Sequence, residues 1–386
     1  MSAITGKRHW ANSANWCRSE ALKRRYSSVK QLDFLPRIES LRGIAALAVV
    51  GYHVNGQLSA LPAHGWFDGF ASRLITAFSN GIGAVVTFFV LSGFVLARSL
   101  DADSDPVRFF RNRLFRLFPA AIAVVALLTL LYWQFGLFVG YKASFDPLNI
   151  VLNLLLIRSD INGVMWSMTV ECVATPLILV SVWLFRRYGE AVLWGLVAFL
   201  FGLSFWGSYV HLLGGFTNLA PFYAFVVGVL IHFRGVRPTT LVSSGLVNAT
   251  AIAAIAIFSF GGASKQTALI LALECLSAAI LIMLIAWCQD MVLFKPLDFK
   301  LVRFYGRISY SFYLLHPLGM LFAFRAVDPR TFHAWGMPLS LTMLFATLIA
   351  ILFTTPAAYL TWRFIETPFI SLGRTFGEQR KLQAAS

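Results

Sequence analysis

From residue 42 onward the chain alternates between apolar runs of about 20 residues and short polar breaks. At ~1.5 Å rise per residue, one such run covers the ~30 Å of hydrocarbon in a bilayer. Ten runs predict ten helices, at 42–60, 81–99, 117–137, 166–185, 191–211, 215–233, 241–261, 267–288, 306–325 and 338–360. None shows the two-residue alternation of a barrel strand, so backbone hydrogen bonding inside lipid calls for helices. The expected fold is an all-α integral membrane bundle of about ten transmembrane helices. It has a basic segment at 1–36, a membrane domain at 37–370 and a short tail at 371–386.

Composition agrees with this reading: 58% of the residues are hydrophobic and only 13% are charged, about half the usual soluble share. The net charge of +15 would suggest nucleic acid in a soluble protein. Here its distribution matters more. Of 32 Lys and Arg, 26 fall before the first run or after the even-numbered ones. By the positive-inside rule those breaks and both termini are cytoplasmic, and no nucleic-acid partner is expected. The first forty residues lack the apolar core of a signal peptide. Residues 19–32, with Leu22, Tyr26 and Val29 on one face, fit a basic helix lying on anionic membrane lipid. The four cysteines show no ligand or disulfide spacing, and they read as small apolar packers with no metal implied.

Polar groups inside a bilayer are costly, which makes them candidates for function. The first run carries Arg42 at its start and His53 eleven residues on, ~16 Å along a helix and on the same face. That suits an anionic cytosolic molecule whose head meets Arg42 and whose reactive end reaches His53, a potential general base. Arg113 and Arg116 share a face and could converge on phosphate. Pro119 is expected early in the third helix, and Gly93 at a close helix approach. Glu171 needs a partner, and His53 is the expected one, forming a dyad. Trp166 fits an outer-interface anchor. His316 precedes Pro317 and could bind substrate or cap carbonyls freed by the proline. Glu366 is expected in a structural ion pair, and Glu274 has no local motif.

Six motifs then occur in order. They are Leu41-Arg42-Gly43 with His53, Phe88-Phe89-Val90-Leu91-Ser92-Gly93-Phe94, Arg113/Arg116/Pro119, Trp166-Ser167-Met168-Thr169-Val170-Glu171, Ile308-Ser309-Tyr310-Ser311-Phe312-Tyr313-Leu314-Leu315-His316-Pro317 and Glu366-Thr367-Pro368. Together they resemble the acyltransferase-three family of bacterial membrane O-acyltransferases, over about residues 37–370. The resemblance implies transfer of an acyl group, usually acetyl, from cytosolic acyl-CoA to a hydroxyl of an exported or lipid-linked glycan. It places the protein in the bacterial cytoplasmic (inner) membrane. It makes His53 and Glu171 catalytic and puts Arg42, Arg113 and Arg116 at the donor; Ser92, Trp166, Tyr310 and His316 complete the expected substrate-binding set. The family commonly has Phe-Tyr shortly after the Glu, where this chain has Val173-Ala174. With the chain ending at Ser386, transfer is expected to finish within the membrane domain. Transfer could be direct or through an acylated protein group. A proton-coupled transporter using His53, Glu171 and His316, and an acyltransferase acting on a lipid headgroup, are the rival readings.

Overall fold

The computed structural model describes residues 36–141, 144–205, 218–235, 244–288 and 291–385, with side-chain surroundings through Phe376. The segment 19–32, Cys17, Lys142 and Arg237 lie outside the described residues. Helices dominate, and there is no strand among the described residues. They are α1 (Pro36–Leu58), α2 (Gly65–Phe78), α3 (Gly81–Ala102), α4 (Pro106–Phe135), α5 (Pro147–Leu154), α6 (Trp166–Tyr188), α7 (Glu190–Leu203), α8 (Tyr223–Arg234), α9 (Ser244–Gly262), α10 (Ala268–Trp287), α11 (Lys300–Ala326), α12 (Pro329–Ala334), α13 (Leu339–Thr361) and α14 (Thr367–Ala385). A π-helical turn, Trp362–Glu366, joins the last two.

Each of the ten expected runs overlaps a helix in its described part; 206–211, 215–217 and 241–243 lie outside the described residues. Among the described residues, six helical stretches are long and apolar enough to cross a membrane: Gly65–Ala102, Pro106–Phe135, Gly163–Tyr188, Ser244–Gly262, Ala268–Trp287 and Leu339–Phe376. Glu190–Leu203 and Ala220–Arg234 are apolar but shorter. α1 and α11, with 23 and 27 residues, are long enough but fall outside the apolar set. Their polar side chains are turned inward: α11 buries Ser309, Tyr310, Ser311, Tyr313 and His316. These two helices carry the candidate chemistry.

The break after the second run is largely helical. Asp105 caps α4, its carboxylate accepting from the backbone of Val107 and Arg108, and Pro106 supplies the first helical position. Arg113 and Arg116 therefore project from the helix itself, seven and ten residues past its first position. Pro119 lies well inside this helix, contrary to the early position expected for it. Glycine sets the closest approach of α3 and α8. A Cβ at Gly93 would overlap the carbonyl oxygen of Phe225, and one at Gly228 would overlap that of Val90, so the small-residue role read for Gly93 is what the packing uses. Asp101, near the end of α3, meets Arg186 of α6 at 3.2 Å and His232 of α8 at 3.4 Å.

Candidate active site

The site lies where α1 and α11 run side by side in the same direction. A Cβ on Gly43 would stand 2.5 Å from the backbone nitrogen of Gly306, so the close approach depends on glycine. Ten residues further along each helix, ~15 Å at the helical rise, stand His53 and His316. Their ring centroids are 5.0 Å apart. Nε2 of His316 is 3.3 Å from Nδ1 of His53.

The carbonyl partners define the tautomers of this pair, because a carbonyl oxygen can only accept. Nδ1 of His53 lies 2.9 Å from the oxygen of Val49, one turn back. Nδ1 of His316 lies 2.6 Å from the oxygen of Tyr313. In a regular helix Tyr313 would receive the N–H of residue 317, which is proline and has none. Of the two roles open to His316, carbonyl capping is the one its Nδ1 performs. In the neutral pair both Nδ1 atoms carry hydrogen. The one Nδ1–H of His53 is then shared between the Val49 oxygen and His316 Nε2, and His53 Nε2 is left with a lone pair.

A second group of residues surrounds a cavity of about 70 Å³, with Arg42, Ser92, Arg113, Arg116, Glu171 and Ser309 in its wall. Glu171 is bound here, and not to His53. Its Oε2 accepts from Arg113 Nη2 at 2.7 Å, and the same nitrogen donates to Ser92 Oγ at 3.2 Å. The expected His53–Glu171 dyad is therefore absent among the described contacts. The reason is the position of Arg113 on α4: a long cation reaching inward from a helix satisfies the buried carboxylate directly. Arg42 and Arg116 have no carboxylate within salt-bridge distance among the described residues. Arg113 Nε and Ser309 Oγ are buried without hydrogen-bond partners. The cavity thus has two cations without a direct ion pair, on which Glu39 and Glu366 act only from beyond salt-bridge distance, and two unused donors, a setting suited to an anion.

Tyr313 stands between this cavity and the histidines. It lines the cavity, and its ring centroid is 5.7 Å from that of His316. Its hydroxyl donates to the Val164 oxygen at 2.9 Å and accepts from Ser167 Oγ at 2.9 Å. Phe88 packs edge-on against it. On the far side, His53 lines a wide cavity of about 1070 Å³. The order across the bundle is arginine cavity, Tyr313, His316, His53, wide cavity.

Trp166 is not at an interface. It is 8% exposed and meets Phe89 edge to face, because the short 3-10 turn Gly163–Met165 brings the start of α6 into the core. Tyr310 lines the arginine cavity, but its hydroxyl is committed to the Leu117 oxygen at 2.6 Å. Glu366 accepts from the Ser311 hydroxyl at 2.8 Å and makes no ion pair among the described residues. Glu274 Oε1 accepts from Asn80 at 2.7 Å and Gln266 at 3.3 Å, away from both histidines. Sequence reasoning missed the His53–His316 pair and the orphaned Ser309 hydroxyl. Its signal for the first was available, since a glycine stands ten residues before the histidine in both helices. Among the described residues, no three His, Cys, Asp or Glu side chains converge as metal ligands.

These features define an all-helical, multi-pass membrane protein with an internal polar site between two cavities. A family model described as an acyltransferase domain, acyltransferase family 3, matches residues 35–363, and the chain belongs to that family. A "putative O-acetyltransferase" of Staphylococcus aureus (strain COL) is 24% identical over 392 aligned residues, covering 89% of this chain and 58% of that protein. A "putative membrane-bound transacylase", BcsY, of Komagataeibacter xylinus is 32% identical over 118 residues, covering 28% of this chain and 25% of the relative. A "putative acetyltransferase" of Acidianus two-tailed virus is 29% identical over 149 residues, or 36% of this chain and 39% of that one. The chain thus spans between a quarter and somewhat over half of these relatives' lengths. No solved structure matches it.

Proposed function

We propose that this chain is a membrane O-acyltransferase that moves an acyl group, acetyl in the simplest case, from cytosolic acyl-CoA to a hydroxyl of an exported or lipid-linked glycan. The observation that carries this reading is the histidine pair standing between two chemically different cavities. One offers Arg42 and Arg116 without a direct ion pair; the other is wide, and His53 is in its wall. The family membership and the relatives' names support acyl transfer as the chemistry. The basic breaks support an orientation with both termini and the arginine cavity toward the cytoplasm of a bacterial inner membrane, with all ten runs crossing.

In this reading the donor's phosphates meet Arg42 and Arg116, with Arg113 held in place by Glu171 and Ser92. The thioester arm passes Tyr313 toward the histidines. The acceptor hydroxyl enters from the wide cavity and gives its proton to His53 Nε2. Its oxygen attacks the thioester carbonyl carbon, forming a C–O bond. The C–S bond then breaks, and the thiolate leaves with the proton returned by His53. His316 accepts from His53 Nδ1–H throughout, so the role expected of Glu171 passes to His316 as the positioning partner of the base.

The test is radiolabelled acetyl-CoA supplied to the purified chain in liposomes, with glycan extracted from a strain deleted for its gene. Label in the glycan from wild type, and none from His53→Ala at equal protein level, is expected. Undiminished labelling by His53→Ala would remove His53 from the mechanism. Label only in the lipid fraction would move the acceptor to a headgroup, and proton-coupled solute flux without acetyl-CoA consumption would make the chain a transporter.

A further inference from the structure

The helix that carries Arg42 and His53 holds a third polar side chain that the mechanism above leaves unused. Asn55 is 4% exposed, and neither its Oδ1 nor its Nδ2 has a hydrogen-bond partner. A buried amide with both ends unpaired is unfavourable, and a position that only packs would be served better by an apolar side chain of similar volume. Asn55 lies in the wall of the wide cavity, two residues beyond His53, with both amide ends covered by that wall. The wall around it is rich in neutral polar groups, including Tyr52, Gln57, Ser59 and Thr76, with one cation, Arg73, and no carboxylate among the described residues. Amides and hydroxyls beside an aromatic ring match a polyhydroxylated ligand better than a lipid chain. An amide offers one acceptor and two donors, enough to bridge two neighbouring hydroxyls.

We propose that Asn55 is an acceptor-binding residue. With its side chain turned into the cavity, it accepts from one saccharide hydroxyl and donates to its neighbour, and so sets the reacting hydroxyl at His53 Nε2. This assignment rests on the acyltransferase reading. It also gives both unpaired amide ends partners, the hydroxyls of the acceptor, once the side chain turns into the cavity.

The experiment compares wild type, Asn55→Leu and Asn55→Gln in liposomes, with radiolabelled acetyl-CoA and glycan extract from the deletion strain titrated by hexose content. Asn55→Leu keeps the volume and removes both polar ends. It should raise the half-saturating glycan concentration about tenfold or more, the loss expected for one or two hydrogen bonds. The acetyl-CoA concentration at half-saturation should be unchanged, and the unfolding temperature should be equal or higher, because an unpaired buried amide is gone. Asn55→Gln, which keeps the amide, should fall between the two in glycan use. A role in packing alone predicts the opposite, a lower unfolding temperature with donor and acceptor use falling together. That result, or an unchanged glycan titration in Asn55→Leu, would overturn the assignment while leaving wild-type transfer standing. Absence of label transfer by wild type would overturn the acyltransferase reading and this assignment with it.

Discussion

The Arg113–Glu171 pair allows a direct test of which partner Glu171 serves. The contact is 2.7 Å, with the two side chains 8% and 12% exposed. With charge centres roughly 4 Å apart and an effective dielectric constant of about 20, the attraction is ~4 kcal/mol. Removing one member leaves the other charged, buried and unpaired, at a cost of about 3–5 kcal/mol. Glu171→Gln and Arg113→Met should each destabilise by about that much. Replacing both members with apolar residues, as Arg113→Met with Glu171→Met, should return stability to within about 1 kcal/mol of wild type, because desolvation of both charges disappears together. The assay is equilibrium unfolding in mixed micelles followed by tryptophan fluorescence, combined as a double-mutant cycle. All of these variants should lose transfer through a misplaced donor. The residual activity of Glu171→Gln should keep the wild-type pH dependence, because His53 has its own partner in His316. Single variants that cost less than about 1 kcal/mol, or a pH profile displaced by Glu171→Gln, would refute the pairing and restore Glu171 as the partner of His53.

Four further outcomes are expected. His316→Phe removes one of the two acceptors of His53 Nδ1–H, leaving the Val49 carbonyl, and uncaps the Tyr313 carbonyl. Turnover should drop about 100-fold, with acetyl-CoA half-saturation unchanged in steady-state kinetics. Arg42→Ala and Arg116→Ala should each raise the donor concentration at half-saturation about tenfold or more and weaken its dependence on salt, measured by titrating acetyl-CoA at two ionic strengths. Asp298 lies outside the membrane-spanning helices, and the Arg37 guanidinium at 2.6 Å holds its carboxyl below the usual carboxylate range. Because the folded-state value is depressed, its stabilisation is complete above the unfolded value of about 3.9 and fades as pH falls through the folded one. Unfolding midpoints from pH 7 to 3 should lose that component in Asp298→Asn. Gly93→Val should cost about 2–3 kcal/mol in mixed-micelle unfolding, because its side chain would enter the space of the Phe225 carbonyl.

The helices were legible because their cause is local. A run of about twenty apolar residues has few other ways to satisfy its backbone in lipid, and the described part of each expected run overlaps a helix, six stretches being long and apolar enough to cross. The polar residues were legible as candidates for the same reason, since their cost in hydrocarbon makes them conspicuous. What was illegible was their partners, which depend on distances between helices far apart in sequence. Glu171 was expected opposite His53 on depth alone, yet α4 begins early enough for Arg113 to reach it first. Trp166 fits an interface by type, but a 3-10 turn places it against Phe89. Pro119 looked like a helix start only because Asp105 and Pro106 had not been read as the true one.

One three-dimensional contact was written in the chain all the same. In α1 a glycine precedes the histidine by ten residues, and in α11 the same spacing recurs. Two parallel helices that touch at their glycines must bring residues ten further on to the same height. The spacing therefore encodes the His53–His316 contact once the glycines are known to meet. It also encodes a division of labour along α1, because Arg42 lies beside the glycine contact and His53 beside the histidine contact. Glu171 pairs directly with Arg113, while the other two arginines of the small cavity have carboxylates only beyond salt-bridge distance. The phosphates of an acyl-CoA would supply the missing counter-charge at that end, ~16 Å along α1 from the base that takes the acceptor's proton.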